Sequence, residues 1–168
     1  MAGIADFLDS LIGGFDLICF CLLIGGLFWG VFLLKPWQTE QGYNDALLQK
    51  TILLIYKGGF WLAGAQIFKI ILKIWLMAAV LDRWPFPEFA GTTQFIGGIV
   101  RAVLTALLAG YCYRYLRQHP YSKQYWFNAC LVAVPMIISG AWLVHAAGRF
   151  DNRFSLMTLT VIHPLAAA

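Results

Sequence analysis

Long apolar runs separated by short polar connections dominate the chain, and the uncharged run from Leu17 to Leu34 is one of them. A helix needs about 20 mostly apolar residues to cross a bilayer. Four segments reach that length and a fifth begins near Phe154: about 11–34, 58–81, 95–115, 125–145 and 154–168. The pattern predicts an all-α polytopic membrane helix bundle, with four full transmembrane helices and the start of a fifth in a single domain over residues 1–168.

Polar or rigid residues mark the ends of these segments. Lys35-Pro36-Trp37 closes the first segment, and the stretch from Asp82 to Glu88 closes the second. The second segment is expected to extend inward from Lys50. Pro135 is expected to kink the fourth segment or to be tolerated by neighbouring helices. The last segment has 15 residues, so the fifth span is expected to be cut short.

Composition agrees with a membrane protein, because the chain is 61% hydrophobic and only 12% charged. Soluble domains carry about twice that share of charged residues. The N-terminus lacks the basic region of a secretory signal, so the first span is expected to be retained.

The four cysteines form no paired framework. No basic patch of the nucleic-acid-binding kind, hydrolytic triad, carboxylate pair or phosphate-binding loop is evident, so we expect neither nucleic-acid binding nor enzymatic activity.

Lysine and arginine counts predict the orientation. The connections after the first and third spans carry Lys35, Lys50, Lys57, Arg114, Arg117 and Lys123. The opposite side carries Arg83, Arg149 and Arg153. Since cytoplasmic loops are enriched in Lys and Arg, this bias predicts that the N-terminus lies on the outer, non-cytoplasmic side.

Several charged residues fall inside the predicted spans, in their outer halves. Asp16 lies about five residues into the first span, and Arg101 enters the third to a similar depth. Lys69 and Lys73 are four residues apart on one face of the second span. Each such charge costs roughly 2.5–3.5 kcal/mol at the bilayer centre, so it should face partners or water.

Two arrangements of these charges remain open. In one, Lys73 and Arg101 extend to the outer headgroups while Asp16 pairs with one of the cations. In the other, Asp16, Lys69, Lys73, Arg101, His145 and His163 line a water-accessible polar pocket that opens outward. Three cations against one carboxylate suit an anionic group at least as well as a metal ion.

His145 and His163 are the strongest candidate metal ligands, since neutral imidazole suits copper, zinc, iron or nickel. His145 falls at the outer end of the fourth span, and His163 about nine residues, or ~13 Å, into the fifth. Their different depths argue against direct binding of one metal by both. Met157, as a thioether ligand of Cu(I), and Asp16 are weaker candidates.

Two histidine motifs resemble the middle of CopD-type inner-membrane proteins, the copper resistance D family. The motifs are Trp142-x-x-His145-Ala146-Ala147-Gly148 and Ile162-His163-x-Leu165-Ala166-Ala167. Gly25-Gly26-Leu27-Phe28 also resembles the family's first span, and the pattern from Thr92 to Leu104 resembles its third. Members are longer, so the resemblance covers their N-terminal half. It implies copper transport or homeostasis at the bacterial inner membrane, with His145 and His163 contacting copper and a periplasmic CopC-like protein as partner.

Two other functions remain open. The chain could be a non-catalytic accessory subunit of a larger membrane complex, such as a copper-dependent monooxygenase or oxidase. It could also be a haem- or quinone-binding electron carrier, which would need facing histidines on two spans.

Overall fold

The computed structural model describes residues 2–38 and 45–145, and within them the chain is helical and contains no strand. The predicted fifth span, including Met157 and His163, lies outside the described residues, as does the side chain of His145. Five α-helices follow one another, with bounds α1 Ala2–Phe28, α2 Asp45–Leu81, α3 Phe86–Ala90, α4 Thr93–Tyr111 and α5 Lys123–His145.

Three stretches are long and apolar enough to cross a membrane: Phe7–Gln38, Asp45–Leu81 and Thr93–Leu116. They contain the first three predicted spans, and α5 coincides with the fourth, which remains a prediction. The first two helices begin well before the predicted spans, at Ala2 and Asp45. The difference has a simple cause, because backbone hydrogen bonding continues a helix through polar residues that an apolar-length criterion leaves out.

The ends of the helices are set by local backbone geometry. A π-helical segment, Trp29–Leu34, extends α1, and Lys35 ends it in the left-handed conformation with φ 41°. A second π-helical segment, Cys112–Leu116, extends α4. Thr92 caps the start of α4, because its hydroxyl accepts a hydrogen bond of 3.2 Å from the Phe95 N–H. These ends fix where the connections leave the bundle.

The long helices form an antiparallel bundle in which α2 packs against both α1 and α4, and α5 packs against α4. Glycines bring the helices close together. A Cβ atom at Gly59 would lie 2.9 Å from the Ala109 Cβ, and one at Gly30 would overlap the Trp126 ring. Small residues at helix interfaces are the usual means of close packing in lipid.

Two apolar clusters fill the bundle. The larger contains the fully buried Leu23, Ile55, Leu108 and Trp126, and it occupies the end at which Gly30 and Trp126 meet, here called the glycine–tryptophan end. The smaller consists of Ile70, Ile74 and Phe89, with partly buried neighbours. Charged side chains lie beside the smaller cluster, because Ile70 and Phe89 line a cavity together with them.

Candidate functional site

A buried carboxylate, Asp16, is the centre of the charged group and is only 8% exposed. The Gln66 side-chain N–H donates a hydrogen bond to Asp16 Oδ1. Its other oxygen, Oδ2, lies 3.5 Å from Arg101 Nη1 and 3.8 Å from Lys69 Nζ. We call Asp16, Gln66, Lys69 and Arg101 the Asp16 cluster, and the end of the bundle that contains it the polar end.

Three helices supply the cluster, and helical periodicity explains why the side chains meet. Gln66, Lys69 and Lys73 lie three and four residues apart, so they share one face of α2. That face is directed at Asp16 on α1 and Arg101 on α4. Both carboxylate oxygens therefore have partners, as a buried charge requires.

Arg101 is buried, with 9% exposure, and α5 covers it. A Cβ atom at Gly140 of α5 would lie 3.2 Å from the Arg101 Cζ, so only glycine allows this approach without adjustment. The Thr105 hydroxyl donates a 2.7 Å hydrogen bond to the Arg101 backbone carbonyl. Among the described residues, Arg101 Nε has no hydrogen-bond acceptor. The guanidinium thus joins α1, α4 and α5 at one point.

A cavity of about 220 Å³ adjoins the cluster. Besides the cluster itself, its walls include Asp9, Lys73, Phe89, Gln94 and Gly98. Lys73 Nζ donates to Gln94 Oε1 over 3.2 Å at the exposed rim. Three cations and two carboxylates line the cavity, which gives it one excess positive charge.

The structure brings together four of the residues that the sequence placed in a polar pocket: Asp16, Lys69, Lys73 and Arg101. Asp16 contacts two cations, Lys69 and Arg101, so its predicted pairing with a cation is present in the structure. Arg101 is buried, so the prediction that its side chain extends to the headgroups is wrong. Lys73 does extend to the exposed rim. His145 is the last residue of α5, and the positions of Met157 and His163 lie outside the described residues.

Gln66, Gln94 and Gly140 were not predicted as part of the site. Gln66 carries no charge and was overlooked for that reason, although its position three residues before Lys69 was a usable signal. The contacts of Gln94 and Gly140 depend on how separate helices pack, so the sequence has no local sign of them.

Within residues 2–38 and 45–145, no group of three or more His, Cys, Asp or Glu side chains is placed to hold a metal ion. Asp16 already has three polar partners, which are Gln66, Lys69 and Arg101. The described part of the site is therefore an ion-pair cluster beside a small polar cavity.

Comparison with known proteins adds no relative: no family model, no curated protein and no solved structure matches the chain.

Proposed function

We propose that this chain is an inner-membrane copper transport or homeostasis protein that exchanges copper at the periplasmic side, with its N-terminus in the periplasm. The support is the resemblance of its His145 and His163 motifs to CopD-type proteins, together with the helices long enough to span a membrane. The lysine and arginine bias supports the orientation.

The observation that carries the proposal is the shared location of the polar groups and the end of α5. Gly140 packs against Arg101, and His145 follows five residues later on the same helix, about 7.5 Å farther along its axis. The Asp16 cluster, its cavity and His145 thus belong to one end of the bundle. In the proposed orientation that end faces the periplasm, where a CopC-like carrier would meet it.

Copper is the cargo in this proposal, and the charge of the cavity indicates which residues contact it. The cavity has an excess positive charge and the Asp16 carboxylate is already paired, so neither attracts a copper ion. Neutral imidazole and thioether groups do bind copper. We therefore assign the cargo contacts to His145 and His163, with Met157 as a further ligand, and assign the Asp16 cluster to holding the helices that carry them.

The test is copper binding by the purified full chain. His145→Ala and His163→Ala are each expected to lower the bound copper, and the double variant to abolish it. Asp16→Asn is expected to retain copper binding when folded protein is measured. His119→Ala is the matched control, since His119 lies in the connection before α5, at the opposite end of the bundle, and stacks on Tyr125 at 4.9 Å. Undiminished binding in the double variant would overturn the assignment.

An accessory subunit is the second candidate, and one surface favours it. Phe127, Leu131, Val134 and Ile138 form an apolar stripe along α5, and each is 49–63% exposed. Further transmembrane helices could cover this stripe, either from a host complex or from a longer chain of the same protein. Copurification of host subunits, lost in a Leu131→Gln variant, would favour the accessory role, whereas copper transport by the isolated protein would contradict it.

A further inference from the structure

At the glycine–tryptophan end, two cations and two aromatic rings surround a cavity of about 240 Å³ between α2 and the end of α4. Lys50 and Arg117 supply the charges, and Tyr56 and Tyr113 supply the rings. The two rings contact each other at an interplanar angle of 37°, with centroids 4.9 Å apart, and the Arg117 guanidinium lies 5.5 Å from the Tyr113 centroid. No acidic residue is among the described residues of the wall, so the cavity suits a phosphate group.

A second cavity adjoins the first, and Tyr56 lines both. It is an open apolar groove of about 430 Å³ along α2 and α4. Small residues form its floor, among them Ala63, Gly64, Ala106 and Gly110. Cβ atoms at Gly64 and Gly110 would meet nothing within 4 Å, so the groove has room for a ligand there.

The length of the groove matches one lipid acyl chain. From Tyr56 to Ile67 are eleven residues, or about 16 Å of helix. That is close to half of the ~30 Å hydrocarbon core. Farther along, Ile70 of α2 closes the interface, since a Cβ at Gly98 would lie 3.1 Å from it. A transmembrane helix docked here would need a groove that runs through the full thickness of the bilayer. One acyl chain needs a groove through only half of that thickness.

We propose that these two cavities form one binding site for an anionic phospholipid. The phosphate group lies between Lys50 and Arg117, and one acyl chain lies in the groove between α2 and α4. Basic pockets between transmembrane helices bind anionic headgroups in this manner. The site is at the opposite end of the bundle from the Asp16 cluster, and it does not depend on copper as the cargo.

The experiment measures lipid binding to the purified, delipidated full chain by native mass spectrometry. Phosphatidylglycerol is compared with phosphatidylethanolamine of the same acyl chains, and inorganic phosphate serves as the chain-free probe. We expect one phosphatidylglycerol to bind more tightly than either. Lys50→Gln and Arg117→Gln should each weaken it about fivefold, the effect of one cation near a lipid surface. Lys57→Gln is the matched control, an exposed lysine two turns along α2 that is not part of the cavity wall.

The groove is tested by Gly110→Leu, which adds a side chain at a position that lines the groove and whose Cβ would meet nothing within 4 Å. The control is Gly14→Leu, whose Cβ also meets nothing within 4 Å. Gly110→Leu should reduce phosphatidylglycerol binding while the unfolding midpoint stays close to that of the control. Three results would each overturn the proposal. These are equal binding of the two lipids, an equal loss in Lys57→Gln, or phosphate binding as tight as lipid binding with no effect of Gly110→Leu.

Discussion

At the glycine–tryptophan end the helices meet through glycines and apolar rings, whereas at the polar end they meet through charged side chains. Gly30 lies against Trp126, and Gly59 lies against Ala109. Asp16, by contrast, connects α1 to α2 and α4 by ion pairs and a hydrogen bond. The same antiparallel helices thus use shape at one end and charge at the other.

The two ends differ in the energetic cost of their contacts. Close helix packing in lipid relies on small residues, and such contacts bury no charged group. A buried ion pair brings little net stability, because desolvation offsets much of the attraction. The Asp16 cluster therefore has a cost that simple packing would avoid, and we infer that it fixes how α1, α2 and α4 are placed relative to one another.

The largest expected effect comes from removing the central charge. Asp16→Asn should lower the free energy of unfolding by about 3–5 kcal/mol, because it leaves the buried Arg101 and the half-buried Lys69 without a counter-charge. Chemical unfolding in detergent micelles measures it. Asp9→Asn is the control, because Asp9 is an exposed carboxylate two turns away on the same helix. Adding Arg101→Gln to Asp16→Asn should restore part of the loss, and no recovery would argue against the ion pair.

A smaller loss is expected at the opposite end. Gly30→Ala should lower the free energy of unfolding by about 1–3 kcal/mol, since the new methyl group overlaps the Trp126 ring and separates α1 from α5. The comparison variant is Gly14→Ala, because a Cβ atom at Gly14 would meet nothing within 4 Å. The same unfolding assay applies. Equal stability of the two variants would show that the close approach of α1 and α5 is not needed.

The smallest effects separate the two lysines of α2. Lys69→Gln should cost about 1 kcal/mol, because Lys69 contacts the buried Asp16 carboxylate. Lys73→Gln should cost less than about 0.5 kcal/mol, because its hydrogen bond to Gln94 lies at the exposed rim. Each variant is measured against the unmodified chain in the same detergent. A larger loss for Lys73→Gln would reverse the assignment of the two lysines.

Apolar length and charge were enough to predict the helical class and part of the polar site. Segments of about 20 apolar residues become helices because lipid offers the backbone no other hydrogen-bond partners. Asp16 was predicted as the partner of the intramembrane cations because no other carboxylate lies within the predicted spans. Its contacts with Lys69 and Arg101 follow from that shortage of anions.

The remaining contacts depend on how the helices rotate and slide against one another. The distinction between Lys69, directed inward, and Lys73, at the rim, depends on where α3 and the start of α4 cover α2. The approach of Gly140 to Arg101 and of Gly30 to Trp126 likewise needs three-dimensional packing, because a glycine in an apolar run looks the same at an interface or facing lipid. The first two helices begin earlier than the predicted spans because polar flanking residues also adopt helical conformation.

The division of the Asp16 cluster among three helices has a consequence for biosynthesis. Asp16 enters the membrane on α1 before any counter-charge, Lys69 and Gln66 arrive with α2, and Arg101 arrives last with α4. A single charge costs roughly 2.5–3.5 kcal/mol at the bilayer centre on insertion scales, and Asp16, in the outer half of its span, has part of that cost. We therefore expect α1 to remain near the insertion machinery until α2 joins it as a hairpin. The order in which the helices are synthesised would then help to determine how the bundle assembles.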